Sequence, residues 1–457
     1  MTISRKLLSC AAAAWLAVSA PSFAQDFSVT DEFTAYVQRT CGQLAAVGAA
    51  NRTGTQEDLF RRCNGALNAP TTSTGGLTSQ GDILDQYLGI QNAVPQSDGL
   101  NNTTRANQFT SARLSVITSQ LRGGPNVANL MPLQPYQIAS TGDDIPVAKG
   151  VSRRGKWDGF VNLGAFTTDQ DTTNDEIGYD LDGFWVSGGV DYNIDDTAII
   201  GAAISVVDSS SDIDEIGGLS SGGDTDSTSW TVSAYGSVLV TESLELNGLF
   251  SYGQTDFDSS RVISIVDRNG GGINTIEDGN FATVNRVANS STDADRVEVA
   301  VGASYGHYFD NGLSITPTAR LSYYSSKIDE FSETDSDGLD LTFEDQEVQS
   351  AQFAIGATIA KPISQNWGVL MPYARGEVII EMLDNPQSIT ARYNAALDQS
   401  DNFVIRTSSA DATVFDIAAG ATAQWSNGVS AFGEISTIAG HDDVSHVAVT
   451  LGIRKAF

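Results

Sequence analysis

Positive charge is scarce in this chain. Lys and Arg number 25 against 56 Asp and Glu, a formal net charge of −31. Nucleic-acid binding needs basic patches to neutralise phosphate, so the balance argues against it. Long apolar runs are scarce too. Only 41% of residues are hydrophobic, and beyond the N-terminus no stretch reaches the ~20 residues of a membrane helix. That argues against a helical membrane protein. The three histidines, His307, His441 and His446, have no zinc-motif spacing. No internal repeat of the kind that builds a β-helix stalk is present. With 457 residues, one large domain or several smaller ones fit the length. The acidic excess suggests a solvated surface able to attract cations.

The N-terminus carries an address. Arg5 and Lys6 precede the apolar run LLSCAAAAWLAVSA, and Ser22-Phe23-Ala24 fits a small-x-small cleavage site. Residues 1–24 read as a secretory signal peptide, which implies the Sec translocon as a partner. Its removal leaves 25 − 2 = 23 basic residues against 56 acidic ones, near −33. Cys10 leaves with the signal. Cys41 and Cys63 remain, and in an oxidising compartment a bridge between them is favoured over two free thiols.

Residues 25–102 have a helical period. Phe33, Val37, Leu44 and Val47 share one face, Thr55 offers an N-cap and Gly65 a stop. A Cys41–Cys63 bridge would staple the two helices into a hairpin. A polar helix follows over 103–122, with Phe109, Leu114, Ile117 and Leu121 as an approximate stripe and Gly123-Gly124-Pro125 as its end. The proline-bearing stretch up to 156 reads as a linker.

From Trp157 the period becomes two. In TVFDIAAGATAQW, Phe415, Ile417, Ala419, Ala421, Ala423 and Trp425 oppose Asp416, Ala418, Gly420, Thr422 and Gln424. A soluble sandwich puts such an apolar face inward; a membrane barrel puts it outward. Connection lengths discriminate. Twelve strands begin near Trp157, Tyr179, Thr197, Asp226, Leu244, Asp295, Leu313, Glu347, Val369, Ala412, Gly428 and Val444. Tight turns (IDD, TES, DNG, SNG) alternate with long acidic connections, including most of 258–294 and most of 384–411. Short periplasmic turns, long outer loops and an even strand number describe an outer-membrane barrel. Trp157, Trp230, Tyr305, Phe309, Trp367 and Trp425 suit interfacial girdles. The abundant strand Gly and Ala suggest close packing against an interior plug.

The predicted fold is therefore mainly β: a 12-stranded antiparallel transmembrane barrel over 157–457, preceded by a small helical region. The stretch 157–457 resembles the autotransporter β-domain of type V secretion. The resemblance rests on the strand count, the polar helix and linker upstream, GVLMPYARGEV at 368–378 and the terminal TLGIRKAF. One position departs: Lys455 stands where the family prefers an apolar residue. The resemblance implies an outer-membrane monomer, in contact with lipid, that exports or displays its N-terminal segment. Thr450, Gly452 and Phe457 would form the signal read by the barrel-assembly machinery, and 103–122 would sit in the pore. Lumen-facing Glu298, Arg320, Arg375 and Glu377 would then either hold the plug or solvate one another. The alternative is a plugged channel or structural porin with a periplasmic N-terminal segment.

Chemistry is thinly represented, and no cofactor is implied. Gly302-Ala303-Ser304-Tyr305-Gly306 matches a nucleophile elbow but lies within an alternating strand, where no strand-to-helix turn is expected. Gly81-Asp82-Ile83-Leu84 lacks the serine of an esterase motif. The loop 333–344 approximates a calcium loop through Glu333, Asp335, Asp337 and Glu344, without flanking helices; a solvated acidic loop is the plainer expectation. Asn101-Asn102 is a weak self-cleavage candidate by the same resemblance.

Overall fold

Alternation with a period of two puts successive side chains on opposite faces of a strand. Here it builds twelve long strands: β1 (Trp157–Gln170), β2 (Tyr179–Asn193), β3 (Ala198–Ile213), β4 (Gly222–Leu239), β5 (Leu244–Arg268), β6 (Phe281–Tyr305), β7 (Ser314–Ile328), β8 (Gln346–Ala360), β9 (Gly368–Glu381), β10 (Thr413–Trp425), β11 (Val429–Ala439) and β12 (Val444–Ala456). Each pairs antiparallel with the next, and β12 pairs with β1 from Asp158↔Ala456 to Gln170↔Val444. The sheet is a closed barrel with no open edge between first and last strand. This computed structural model describes residues 31–91 and 156–456, apart from breaks at 74–76, 90, 174–176, 196, 216–221, 269–280, 384–387, 407–412, 426 and 442. The expected signal peptide, pore helix, most of the linker, Asn101-Asn102 and Phe457 lie outside the described residues.

The outward face is apolar. On β12, Val449, Leu451 and Ile453 are 44%, 50% and 54% exposed, while Ala448 and Arg454, on the other face, are buried. Phe184, Val186 and Val190 do the same on β2, and Leu246 and Phe250 on β5. Water would punish such a belt; lipid does not.

Two strands begin well before the expected positions, β4 at Gly222 and β6 at Phe281. The stretch 258–294, expected to be mostly loop, is largely a ladder that continues the β5–β6 hairpin from Asp258↔Ser291 to Arg268↔Phe281. Its polarity is inverted relative to the lower half. On β5 the outward residues change from Leu246 and Phe250 to Asp256 and Asp258, and the inward ones from Glu245 and Ser251 to Phe257, Ile263 and Ile265. β2 behaves likewise: Tyr179 and Leu181 are buried inward at its upper end, opposite outward Asp180 and Asp182. The strands keep their register through the change. Only the dry side switches, from outside where lipid is, to inside where the protein makes its own core.

That core lies at the long-loop end. Two long connections fold into a four-stranded sheet, in the order Phe403–Arg406, Ser388–Tyr393, Leu341–Phe343, Phe331–Ser332. Three helices pack on this end: α1 (Asp31–Val47) on the Phe403–Arg406 strand, α2 (Gly54–Leu67) on the turn Asp337–Leu339 and β5, and α3 (Gln80–Leu88) on β5. One continuous apolar cluster takes in the helices (Phe33, Leu59, Ile83), the loop sheet (Phe343, Ile389, Phe403) and the barrel mouth (Ile263, Val284, Leu181).

Helix ends differ from expectation in detail. Thr53, not Thr55, caps α2, because Thr53 and Gln56 form a reciprocal capping box. Gly65 is buried inside α2, which runs on to Leu67. A disulfide joins Cys41 on α1 to Cys63 on α2, with Cα atoms 6.0 Å apart. The third helix starts at the Ser79 cap and stops at Gly89, whose φ of 73° favours glycine.

Candidate functional site in the lumen and at the barrel mouth

Strand alternation fixes which charges enter the lumen. Arg320 on β7, Arg375 and Glu377 on β9, Asp416 on β10 and Glu434 on β11 form one inward cluster. Arg375 lies 3.3 Å from Asp416, 3.4 Å from Glu434 and 3.6 Å from Glu377, and Arg320 lies 3.5 Å from Glu377. Tyr373 donates its hydroxyl to Glu434 at 2.8 Å. Three of the four expected lumen residues thus meet. Glu298 is buried on the same inward side, in register with Ser251 and Tyr324.

A second lumen pair sits at the closing seam. Arg454 of β12 contacts Asp158 of β1 at 2.5 Å, and Asn193 donates to the same carboxylate at 3.1 Å. Asp416 was legible on the polar face of its strand; Glu434 and the Asp158 seam partner were missed. Both lie in phase with their strands' inward faces, which was the available signal. Two strand glycines have a neighbour that needs their lack of a side chain: a Cβ at Gly201 would enter the Tyr235 ring, and one at Gly420 would enter Tyr373. Their absent side chains make room for rings of neighbouring strands.

At the mouth, a second set of charges ties helices to barrel. Arg286 of β6 makes two bonds to Asp58 of α2, at 2.5 and 2.9 Å. Burial opposes ionisation of Asp58, but the Arg286 bonds and charge, helped by Arg62 and the Gly338 N–H, outweigh it and hold the carboxyl below the usual aspartate range. Arg261 of β5 binds Glu333 at 2.7 and 2.5 Å and donates to the Gln86 carbonyl of α3 at 2.8 Å. These arginines fall within what the sequence suggested was loop.

The four calcium candidates are not gathered. Glu333 is turned onto Arg261 and the Leu341 N–H; Asp335 accepts from Asn289; Asp337 lies 3.5 Å from Arg286; Glu344 accepts from Asn402. Among the described residues, no group of three or more His, Cys, Asp or Glu is placed to hold a metal ion. Ser304 stands near the end of β6 with a short strand, His307–Tyr308, after it, so no elbow forms there. His446 is buried in β12 with its Nδ1 2.9 Å from the Thr168 hydroxyl.

The arrangement is a closed, lipid-facing barrel with a charged lumen and a helical cap on its long-loop mouth. The barrel fold is found in solved structures. The translocator domain of the autotransporter NalP from Neisseria meningitidis superimposes with a TM-score of 0.50 at 15% identity, over 67% of this chain and 90% of that one. The transport unit of the autotransporter AIDA-I from Escherichia coli gives 0.45 at 10% identity, over 76% and 99%. At such identities the likeness is one of fold. No curated protein matches the sequence. The Autotransporter beta-domain family matches residues 160–436. This chain, an outer-membrane barrel protein, belongs to that family.

Proposed function

We propose that the barrel carries its own N-terminal helical segment across the outer membrane and displays it on the outer face. The observation behind this reading is where α1–α3 rest. They pack at the long-loop end, while Trp157, where the barrel begins, pairs with Tyr192 beside the short turns. Long loops mark the outer side of such barrels and short turns the periplasmic side. From Gly89 to Trp157 the chain has 157 − 89 = 68 positions, whereas β1 follows the wall in 14 residues. The connection is therefore long enough to cross, and the reading assigns the crossing to it. It also assigns targeting to residues 1–24 through the Sec translocon, and assembly by the barrel machinery to Thr450, Gly452 and Phe457. The work is transport and display by a monomer, without bond chemistry.

An epitope inserted in the exposed turn Ala49–Asn51 tests it. Antibody labelling of intact cells is expected. Labelling only after the outer membrane is permeabilised would overturn display in favour of a plugged channel with a periplasmic segment.

A further inference from the structure

We infer that the helical segment is a retained cap, and that the long-loop mouth of the barrel is its specific receptor. The inference deepens the display reading for location on the cell, but the docking itself stands on contacts alone.

The helices do not bury their apolar faces only against one another. Phe33 and Tyr36 of α1 pack on the Phe403 ring at centroid separations of 4.7 and 4.9 Å, and Tyr36 stacks on Tyr393 at 5.9 Å. Both partners belong to the loop between β9 and β10. Had the segment been an autonomous passenger, these rings would have faced a core of its own.

Polar contacts give the docking its register. The Tyr393 N–H donates to the Tyr36 hydroxyl at 3.0 Å. The Val266 N–H donates to Thr78 Oγ1 at 2.7 Å, and the Thr78 N–H donates back to the Val266 carbonyl at 3.0 Å, so the approach to α3 lies against the β5 edge like an added strand residue. Asp58 receives Arg286 from the β6 extension and the Gly338 N–H from the loop between β7 and β8. Gly338 meets α2 so closely that a Cβ there would collide with the Leu59 backbone. Four barrel segments thus grip three helices through aromatic stacking, backbone pairing and a half-buried charge pair. Such an interface combines an apolar centre with paired charges and is built to persist.

The disulfide does not provide this retention. Cys41 and Cys63 both lie upstream of any cut made beyond residue 91, so after such a cut only non-covalent contacts hold the cap. Removing the covalent connection should leave the cap in place.

The test uses the full chain, with the Ala49–Asn51 epitope and a specific protease site inserted between Gln96 and Ser97, purified in detergent. After cleavage, the epitope fragment is expected to co-elute with the barrel on size exclusion under non-denaturing conditions. Separate elution of the wild-type fragment would overturn the inference. Gly338→Leu and Arg286→Ala each act from the barrel side, and each is expected to release most of the fragment while the barrel keeps its heat-modifiable gel migration. Full retention in both variants would also overturn the inference, because something other than the mouth would then be holding the cap. Cleavage of intact cells separates this from the display reading. Cutting without loss of epitope from the cells supports both. Cutting only after permeabilisation would sink display, and the detergent result would still decide the docking.

Discussion

Arg261 and Glu333 face each other fork to fork at 2.7 and 2.5 Å, with side chains 1% and 0% exposed. The same guanidinium donates to the carbonyls of Gln86 and Leu339, and Glu333 also accepts the Leu341 N–H. One buried charge pair therefore joins β5, the β7–β8 loop and α3. Arg261→Ala strands a carboxylate in a dry core, which costs about 3–5 kcal/mol when a partner of a buried pair is removed. The cap should become protease-sensitive while the barrel stays heat-modifiable; an unchanged cap digestion profile would contradict the assignment.

The Asp58–Arg286 pair makes cap stability depend on pH. Asp58 has a lowered folded pKa, so its contribution is present above the unfolded value of about 3.9 and lost as pH falls through the folded one. Protease resistance of the cap should be flat from neutral pH to about pH 5 and fall below about pH 4. In Asp58→Asn the resistance should be lower at neutral pH, with less further loss on acidification. An identical acid profile in both proteins would rule the pair out as the source.

Reducing the cap should weaken it without opening the barrel. The Cys41–Cys63 bridge closes a separation of 22 residues, and bridges of that loop size contribute about 2–4 kcal/mol. Cys41→Ser with Cys63→Ser should lower the temperature of cap digestion and leave barrel unfolding in place. Equal shifts in both would mean the two parts unfold as one unit.

Arg375 gathers three carboxylates in the lumen. Arg375→Ala leaves Asp416, Glu377 and Glu434 facing one another without it, and should lower the temperature at which the folded gel band converts. The loss should fall below the about 3–5 kcal/mol of a fully dry pair, since the lumen is polar. Arg375→Lys keeps the charge but not the fork, and should lie between.

The outward and inward faces of the closing strands β11 and β12 should respond differently to charge. Leu451→Arg puts a guanidinium toward lipid, at about 2–4 kcal/mol near the bilayer midplane. Ser436→Arg on β11 faces inward and should cost less. Equal urea midpoints in lipid vesicles would contradict the facing.

The barrel was legible because lipid enforces alternation with one sign over many strands, as in Phe415 to Trp425. The mouth was not, and Ile263 shows why. It alternates as strictly as Phe250, but it points its apolar side the other way. A reader tracking outward apolar residues sees the signal stop near Tyr252 and infers a loop. The helix pair and its bridge were readable from local spacing. What they dock on was not, since Tyr36 and Tyr393 are 357 positions apart and neither is unusual in its own neighbourhood. The four acidic loop residues suggested an ion; Glu333 instead answers an arginine 72 positions away.

The switch of the dry side also measures the barrel. Rising from the short turns, the continuous run of outward apolar or glycine positions ends at Phe184 on β2, Val206 on β3, Trp230 on β4, Tyr252 on β5, Val297 on β6, Tyr323 on β7 and Ala351 on β8. In the ladder, Phe184 lies level with Asp208, Thr228, Asp256 and Asp293, while Tyr323 and Ala351 lie level with Val299, Phe250, Ala234, Ala202 and Val190. Residue 190 is 190 − 184 = 6 positions beyond Phe184, so the boundary slips six residues over the six steps from β2 to β8. One residue per step, at a rise of about 3.3 Å and a strand spacing of about 4.8 Å, inclines the strands to the membrane normal by roughly 35°. The waterline is thus written across the strands as a slope, and its gradient is the tilt of the barrel.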